Sequence, residues 1–218
     1  DTFNGLIVQA NDASAKDTLE SFDVLDGGAG TDTLNATINS GTPAPVLKNI
    51  ENVNLRFTAN KGADLTSATG VTALTIENST ADSGTIAGIG SIANLAVKNQ
   101  LKSVDLNNST ATTLALNLDT VGNTTTPTQI VVDLGKTVAS KATTLNVTAN
   151  NANAEVKDTT AAEIITTLTV AATGANTLKL TEAVKATTVT VTGTGSADLT
   201  GAAFTGALTT AYEPLGQD

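Results

Sequence analysis

One phrase recurs along this chain of 218 residues and limits what it can fold into. "NVNLRFT", "VTALTIEN", "IANLAVKN", "ATTLALNL", "ATTLNVTA", "ITTLTVAA", "ATTVTVTG" and "TGALTT" share a central apolar residue: Leu55, Leu74, Leu95, Leu114, Leu145, Leu168, Val189 and Leu208. Successive centres are 19, 21, 19, 31, 23, 21 and 19 residues apart. Each phrase alternates: Leu168 and Val170 face one side, Thr167 and Thr169 the other, which is the period-two signature of a half-buried strand. A second, shorter apolar site returns between the centres, at Leu65, Ile86, Leu106, Val156, Leu180 and Leu199. Just before most centres lies another small or apolar position, seen in Val71, Ile92, Ala111, Ile165 and Ala186, where the chain turns a corner into the strand. A unit of this size cannot bury its own apolar face, but stacked on its neighbours it buries one continuous thin core.

The expectation is therefore an all-β fold, a parallel β-solenoid with coils of about 20 residues, right-handed by the crossover rule for parallel strands. Composition agrees. There is no Cys, His, Met or Trp, one Tyr and four Phe, and Thr, Ala, Asn, Leu and Val dominate. A thin core needs no bulky filler, and Thr and Val favour a pleated backbone. An immunoglobulin-like β-sandwich is the alternative, but its strands are spaced less regularly and its core usually holds a Trp or several aromatics. The long gap between Leu114 and Leu145 contains Gly122 and Pro127, which mark a loop. Ile130, Val132 and Leu134 follow as a strand, so one coil is enlarged there. This divides the chain into a lead-in over 1–46, repeats over 47–212 and a tail over 213–218, where Pro214 and Gly216 break the pattern. The chain opens on Asp1 in what reads like the middle of a strand, so a segment of a longer polypeptide is expected.

A net charge of −10 and a pI near 4.3 argue against nucleic acid, whose phosphates would be repelled, and against an anionic membrane surface. No apolar run is long enough to insert in a membrane. Divalent cations are the natural partners of such a chain. Without cysteine, repetition or metal ions are the staples available to it.

One stretch carries specific cation chemistry. "GGAGTDTLN", residues 27–35, meets the nonapeptide G-G-x-G-x-D-x-U-x at Gly27, Gly28, Gly30, Asp32 and Leu34. The glycines let a turn present carbonyl oxygens at small radius, the Asp carboxylate adds charge, and the Leu plugs the core. Calcium takes six to eight such oxygens, and one turn supplies about half of them. Nine residues upstream, Asp23 and Leu25 repeat the D-x-U half, with Thr18, Leu19 and Ser21 in the glycine places. Two readings stand: a calcium turn built on Asp23, Gly27, Gly28, Gly30 and Asp32, or a metal-free tight turn that opens the first coil.

The stretch "FDVLDGGAGTDTLNATI", followed by "VLKNIENVNL" and Thr/Ala/Asn-rich repeats, resembles the RTX-type surface-layer proteins and large adhesins that Gram-negative bacteria export by type I secretion. The resemblance is specific over residues 20–57 and compositional beyond. It implies a β-solenoid module on the cell surface, extracellular, assembling with calcium into lattices or filaments. The partners it implies are copies of itself, neighbouring domains of the same long protein and cell-surface polysaccharide. The family's calcium-rich regions carry many tandem nonapeptides, and this chain carries one.

Two other function classes compete. A polysaccharide-active β-helix enzyme would need carboxylate pairs, aromatic platforms and basic groups. The chain has no His or Trp, and its one arginine, Arg56, points outward between Leu55 and Phe57, so no catalytic residues are assigned and no enzyme is expected. An ice- or surface-binding face would use outward Thr-x-Thr pairs, present at Thr167/Thr169 and Thr188/Thr190; Thr is also a preferred outward residue on any sheet. The acids Asp105, Asp119, Asp133, Glu155, Asp158 and Asp198 read as solvating charges in turns and at strand edges.

Overall fold

The structure is a computed structural model that describes residues 1–6, 8–9, 15–123, 129–160, 164–181, 185–199 and 209–212, with the backbone alone at 8, 9, 15 and 209–212. In chain order the strands are β1 (Thr2–Gly5), β2 (Val8–Gln9), β3 (Ala15–Lys16), β4 (Val24–Asp26), β5 (Thr33–Ile38), β6 (Val46–Lys48) and β7 (Asn52–Phe57). They continue as β8 (Ala63–Asp64), β9 (Ala68–Thr69), β10 (Ala73–Glu77), β11 (Thr85–Ala87), β12 (Asn94–Gln100), β13 (Val104–Leu106) and β14 (Thr113–Val121). The last are β15 (Ile130–Asp133), β16 (Thr144–Lys157), β17 (Thr167–Thr173), β18 (Ala175–Leu180), β19 (Thr188–Thr192), β20 (Ser196–Asp198) and β21 (Thr209–Tyr212).

These strands wind as a parallel β-solenoid, not a sandwich. The first face runs β1-β5-β7-β10-β12-β14-β16, then through β17 and β19 to β21. The second runs β8-β11-β13-β15-β16 and on through β18 to β20. A short third face stacks β4, β6 and β9. The long strand β16 crosses both main faces, bending at Asn151 (φ 49°). Pairing is parallel throughout the described strands except in the small β2–β3 hairpin. No helix among the described residues is long and apolar enough to cross a membrane. The ladder takes in β1, β4 and β5, so stacking begins upstream of residue 47.

The core is a single cluster from Leu19 and Leu34 to Val189. Leu145, Leu168 and Val189 stand in one row, as the spacing requires, and so do Leu74 and Leu95. On the second face Ile86 lies beside Leu106 and Val156 beside Leu180. Ile92, Ile165 and Ala186 are buried at the corner before the first face, with Val71 and Ala111 packed against the core there. Leu208 and the tail lie outside the described residues. Two alignments shift by two residues: Leu55 sits beside Ile76 rather than Leu74, and Leu95 beside Leu116 rather than Leu114. Because the strand period is two, such a shift leaves every side chain on its own face, and apolar content alone cannot choose between the alternatives.

The corners make that choice. Glu77, Lys98, Asp119, Asn150 and Thr173 are neighbours in the register. The residue after each, Asn78, Asn99, Thr120, Asn151 and Gly174, is left-handed, with φ between 49° and 69°. A left-handed corner stacks on a left-handed corner, and this column fixes the register. Asn and Gly tolerate that conformation, whereas a β-branched residue is strained in it. Thr120→Asn is expected to raise stability by about 0.5–1 kcal/mol, read as a higher urea midpoint with unchanged slope.

Candidate functional site

The nonapeptide turn sits at the corner that leads from the third face into the first. Asp26, Lys48 and Thr69 are neighbours in the register, and each begins the turn into β5, β7 and β10 respectively. Lys48 and Thr69 reach the paired residues Asn52 and Ala73 in four steps, but Asp26 needs seven to reach Thr33. The extra residues form an exposed loop over 28–31. Gly28 and Gly30 take left-handed φ values of 79° and 124° there, as the nonapeptide pattern anticipates. Gly27 is required for a different reason: it is buried, and a Cβ on it would overlap the Asn49 carbonyl oxygen and lie 2.6 Å from Asp32 Cβ.

Asp32 is fully buried. Its Oδ1 meets the Asp1 backbone nitrogen, and its Oδ2 has no hydrogen-bond partner. Its backbone N–H donates to Glu51 Oε2 at 2.7 Å, and its carbonyl accepts from Asn52 N at 3.0 Å. A buried carboxylate oxygen without a partner is costly and calls for an explanation. Asp23 lies on the other side of β4, where its Oδ2 accepts from Glu20 N at 2.8 Å and closes its own small turn. Among the described residues no three acidic side chains converge as a metal-binding group.

Sequence reasoning missed two contributors to this turn. Asp26 Oδ1 accepts from Asn49 Nδ2 at 2.8 Å and from Gly28 N at 3.1 Å. The Asn49 hydrogen bond first, then that from Gly28, holds the exposed Asp26 carboxyl below the usual carboxylate range. Asp before Gly-Gly is a local turn signal that could have found it. Glu51 has no local signal, since only stacking brings it beneath Asp32.

Elsewhere, acids expected to be solvating charges are structural. Asp133 is fully buried and accepts from Gly135 N at 3.2 Å and Thr159 N at 3.0 Å. Asp158, also buried, accepts from Ser140 N at 2.7 Å and Thr160 N at 3.0 Å. These two carboxylates fasten the enlarged coil to the next. Buried Asp17 does the same in the first coil, accepting from the backbone of Asn39, Ser40 and Gly41 at 2.8–3.1 Å. Asp105 and Glu155 instead form partly exposed ion pairs with Lys136 (3.2 Å) and Lys179 (2.8 Å). Such pairs contribute little to stability.

The fold and its turn define a class, a parallel β-solenoid whose first coil carries an enlarged glycine corner over a buried carboxylate. Comparison with protein-family models, curated proteins and solved structures finds no match.

Proposed function

We propose that this chain is a structural segment of a bacterial cell-surface protein, of the surface-layer or large-adhesin kind. In this reading it lies outside the cell, works by self-assembly with copies of itself and with neighbouring domains, and carries out no catalysis. Cell-surface polysaccharide is a further partner in this reading. The observation that supports it is the nonapeptide turn standing at the first coil of a registered solenoid, with Asp32 Oδ2 buried and unpartnered beneath exposed glycines. That donor set suits a hard cation: Asp32 supplies charge, and the Gly27, Gly28 and Gly30 carbonyls supply neutral oxygens. Calcium bound there would neutralise the buried carboxylate and pin the enlarged corner to the second coil.

Melting curves recorded in chelator and in millimolar calcium test this. Calcium is expected to raise the wild-type midpoint by mass action and to leave Asp32→Ala unchanged. Coincident wild-type curves would remove calcium from the reading. Electron microscopy of the chain with calcium is expected to show ordered assemblies, and a dispersed monomer throughout would count against self-assembly.

A second reading, binding to ice or another ordered surface, is favoured by one observation. Thr113, Thr144, Thr167 and Thr188 form a continuous outward column, which the backbone register extends to Thr209. Thermal hysteresis of a chain solution would support it, and ordinary freezing would end it.

A further inference from the structure

From β1 to β19 the outward side of the first face carries four charges, and they fall in one column. Arg56 and Glu77 each stand one residue beyond the paired Leu55 and Ile76, Glu77 pairs in register with Lys98, and Lys98 with Asp119. Along the stack the signs run plus, minus, plus, minus. Thr37 flanks the column at one end and Asn150 at the other. The remaining outward residues from β1 to β19 are Asn, Thr and Ala, as in the adjacent column Asn54, Thr75, Ala96 and Asn117. This face is therefore electrically neutral in a chain that carries −10 overall.

Alternation of sign suits cross-strand attraction within one chain. Yet no ion pair joins members of this column: those among the described residues lie elsewhere. Arg56 Nε donates to the Asn78 carbonyl at 2.9 Å, and Asp119 Oδ1 accepts from Asn150 Nδ2 at 2.9 Å and Thr120 Oγ1 at 3.0 Å. Glu77 and Lys98 are half-buried neighbours and make no ion pair with each other.

An alternating column of four has a further property. Read backwards it is minus, plus, minus, plus, so it is complementary to itself reversed. A two-fold axis lying in the plane of the face, along the strands and midway between β10 and β12, sets each column against its own reverse. Arg56 then faces Asp119 of the second copy and Glu77 faces its Lys98, each pair occurring twice. The same operation lays β1 to β10 over β12 to β17 of the second copy, with small neutral side chains opposed over most of the contact and Leu6, which borders Thr37, Asn54 and Arg56, at its edge. Strands about 4.8 Å apart and about 18 Å long give such a contact about 600 Å² a side, at the lower end of specific interfaces. The alternating column attracts its own reverse, and a face without net charge sets no long-range repulsion against it.

We propose that the outward side of the first face is a homodimer surface on which two solenoids pack with antiparallel axes, held in register by the Arg56, Glu77, Lys98, Asp119 column. The proposal gives the self-association read above a surface and rests on that reading. It also draws the β14 to β17 part of the threonine column into a protein contact.

Sedimentation velocity over a concentration series, in chelator and at low ionic strength, tests it with four chains. The wild type is expected to dimerise and to dissociate in high salt. Glu77→Lys alone and Lys98→Glu alone each set like charges opposite one another and should raise the dimer dissociation constant at least about tenfold. The double variant E77K/K98E reads plus, plus, minus, minus, which is again complementary to its own reverse, so dimerisation should return. An equimolar mixture of the two single variants should form a heterodimer that neither forms alone, because every facing pair is then opposite in sign. If the alternation served only the single chain, the double variant would place like charges side by side and rescue nothing. Equal association by all four chains would overturn this face while leaving self-assembly standing. A wild type that stays monomeric throughout the series would also overturn it. Circular dichroism melts of each variant separate loss of association from loss of fold.

Discussion

Leu116→Ala should cost the stack about 3 kcal/mol and lower its melting midpoint by on the order of 10 °C. Leu116 is fully buried in the middle of a row, with Leu95 on one side and Val147 on the other. A cavity there weakens both interfaces of one coil, and the hydrogen-bonded ladders on either side resist inward collapse. Because each coil touches only its neighbours, the loss should be local. Amide exchange is expected to quicken most in β12, β14 and β16 and least toward β19. Uniform acceleration along the chain would mean that the stack unfolds as one indivisible unit.

Asn176→Ala should be at least as damaging, at about 3 kcal/mol or more. This buried amide lies just inside the corner between the first and second faces. Its Oδ1 accepts from Ala152 N at 3.0 Å in the coil before. Its Nδ2 reaches the carbonyls of Thr173 and Gly174 in its own coil, at 3.0 and 3.3 Å, and Ser196 in the next, at 2.8 Å. Removing it strands donors and acceptors from three successive coils where water cannot replace it. Asn176→Asp keeps the volume but turns a carboxylate toward carbonyl oxygens, so it should be no more stable than the Ala variant at neutral pH. Urea titrations of the three proteins check this, and an Asp variant that matched the wild type would show that the donors are dispensable.

Much of this architecture is legible in the amino-acid sequence. The alternation in "TLTVAA" requires a strand with Leu168 and Val170 on one face, and the recurrence requires stacking, because no coil buries its apolar side alone. What is not legible is long-range by nature. Leu55 beside Leu74 and Leu55 beside Ile76 are equally apolar pairings. The choice depends on where Asn78 and Asn99 turn the chain, a backbone property that composition only hints at. The nonapeptide is marked by its glycines and Asp32, yet Glu51 beneath it comes from the next coil with no local mark. Asp133 and Asp158 resemble solvated acids because nothing nearby in sequence shows that Thr159 and Ser140 donate to them. The charge column is equally hidden, since Arg56, Glu77, Lys98 and Asp119 are distant in sequence and meet only once the register is set.

The order of residues along the chain dictates the kind of object: parallel coils, a thin aliphatic core and one glycine-rich corner. Those features follow from periodicity and local backbone preference, which act within a single coil. Contacts between coils dictate which residue stands on which, and with it the buried Asp32 oxygen, the carboxylates that fasten coil to coil and the neutral face with its alternating charges. A period of two leaves several registers equal in apolar burial, and only the stacked corners, acting between coils, separate them.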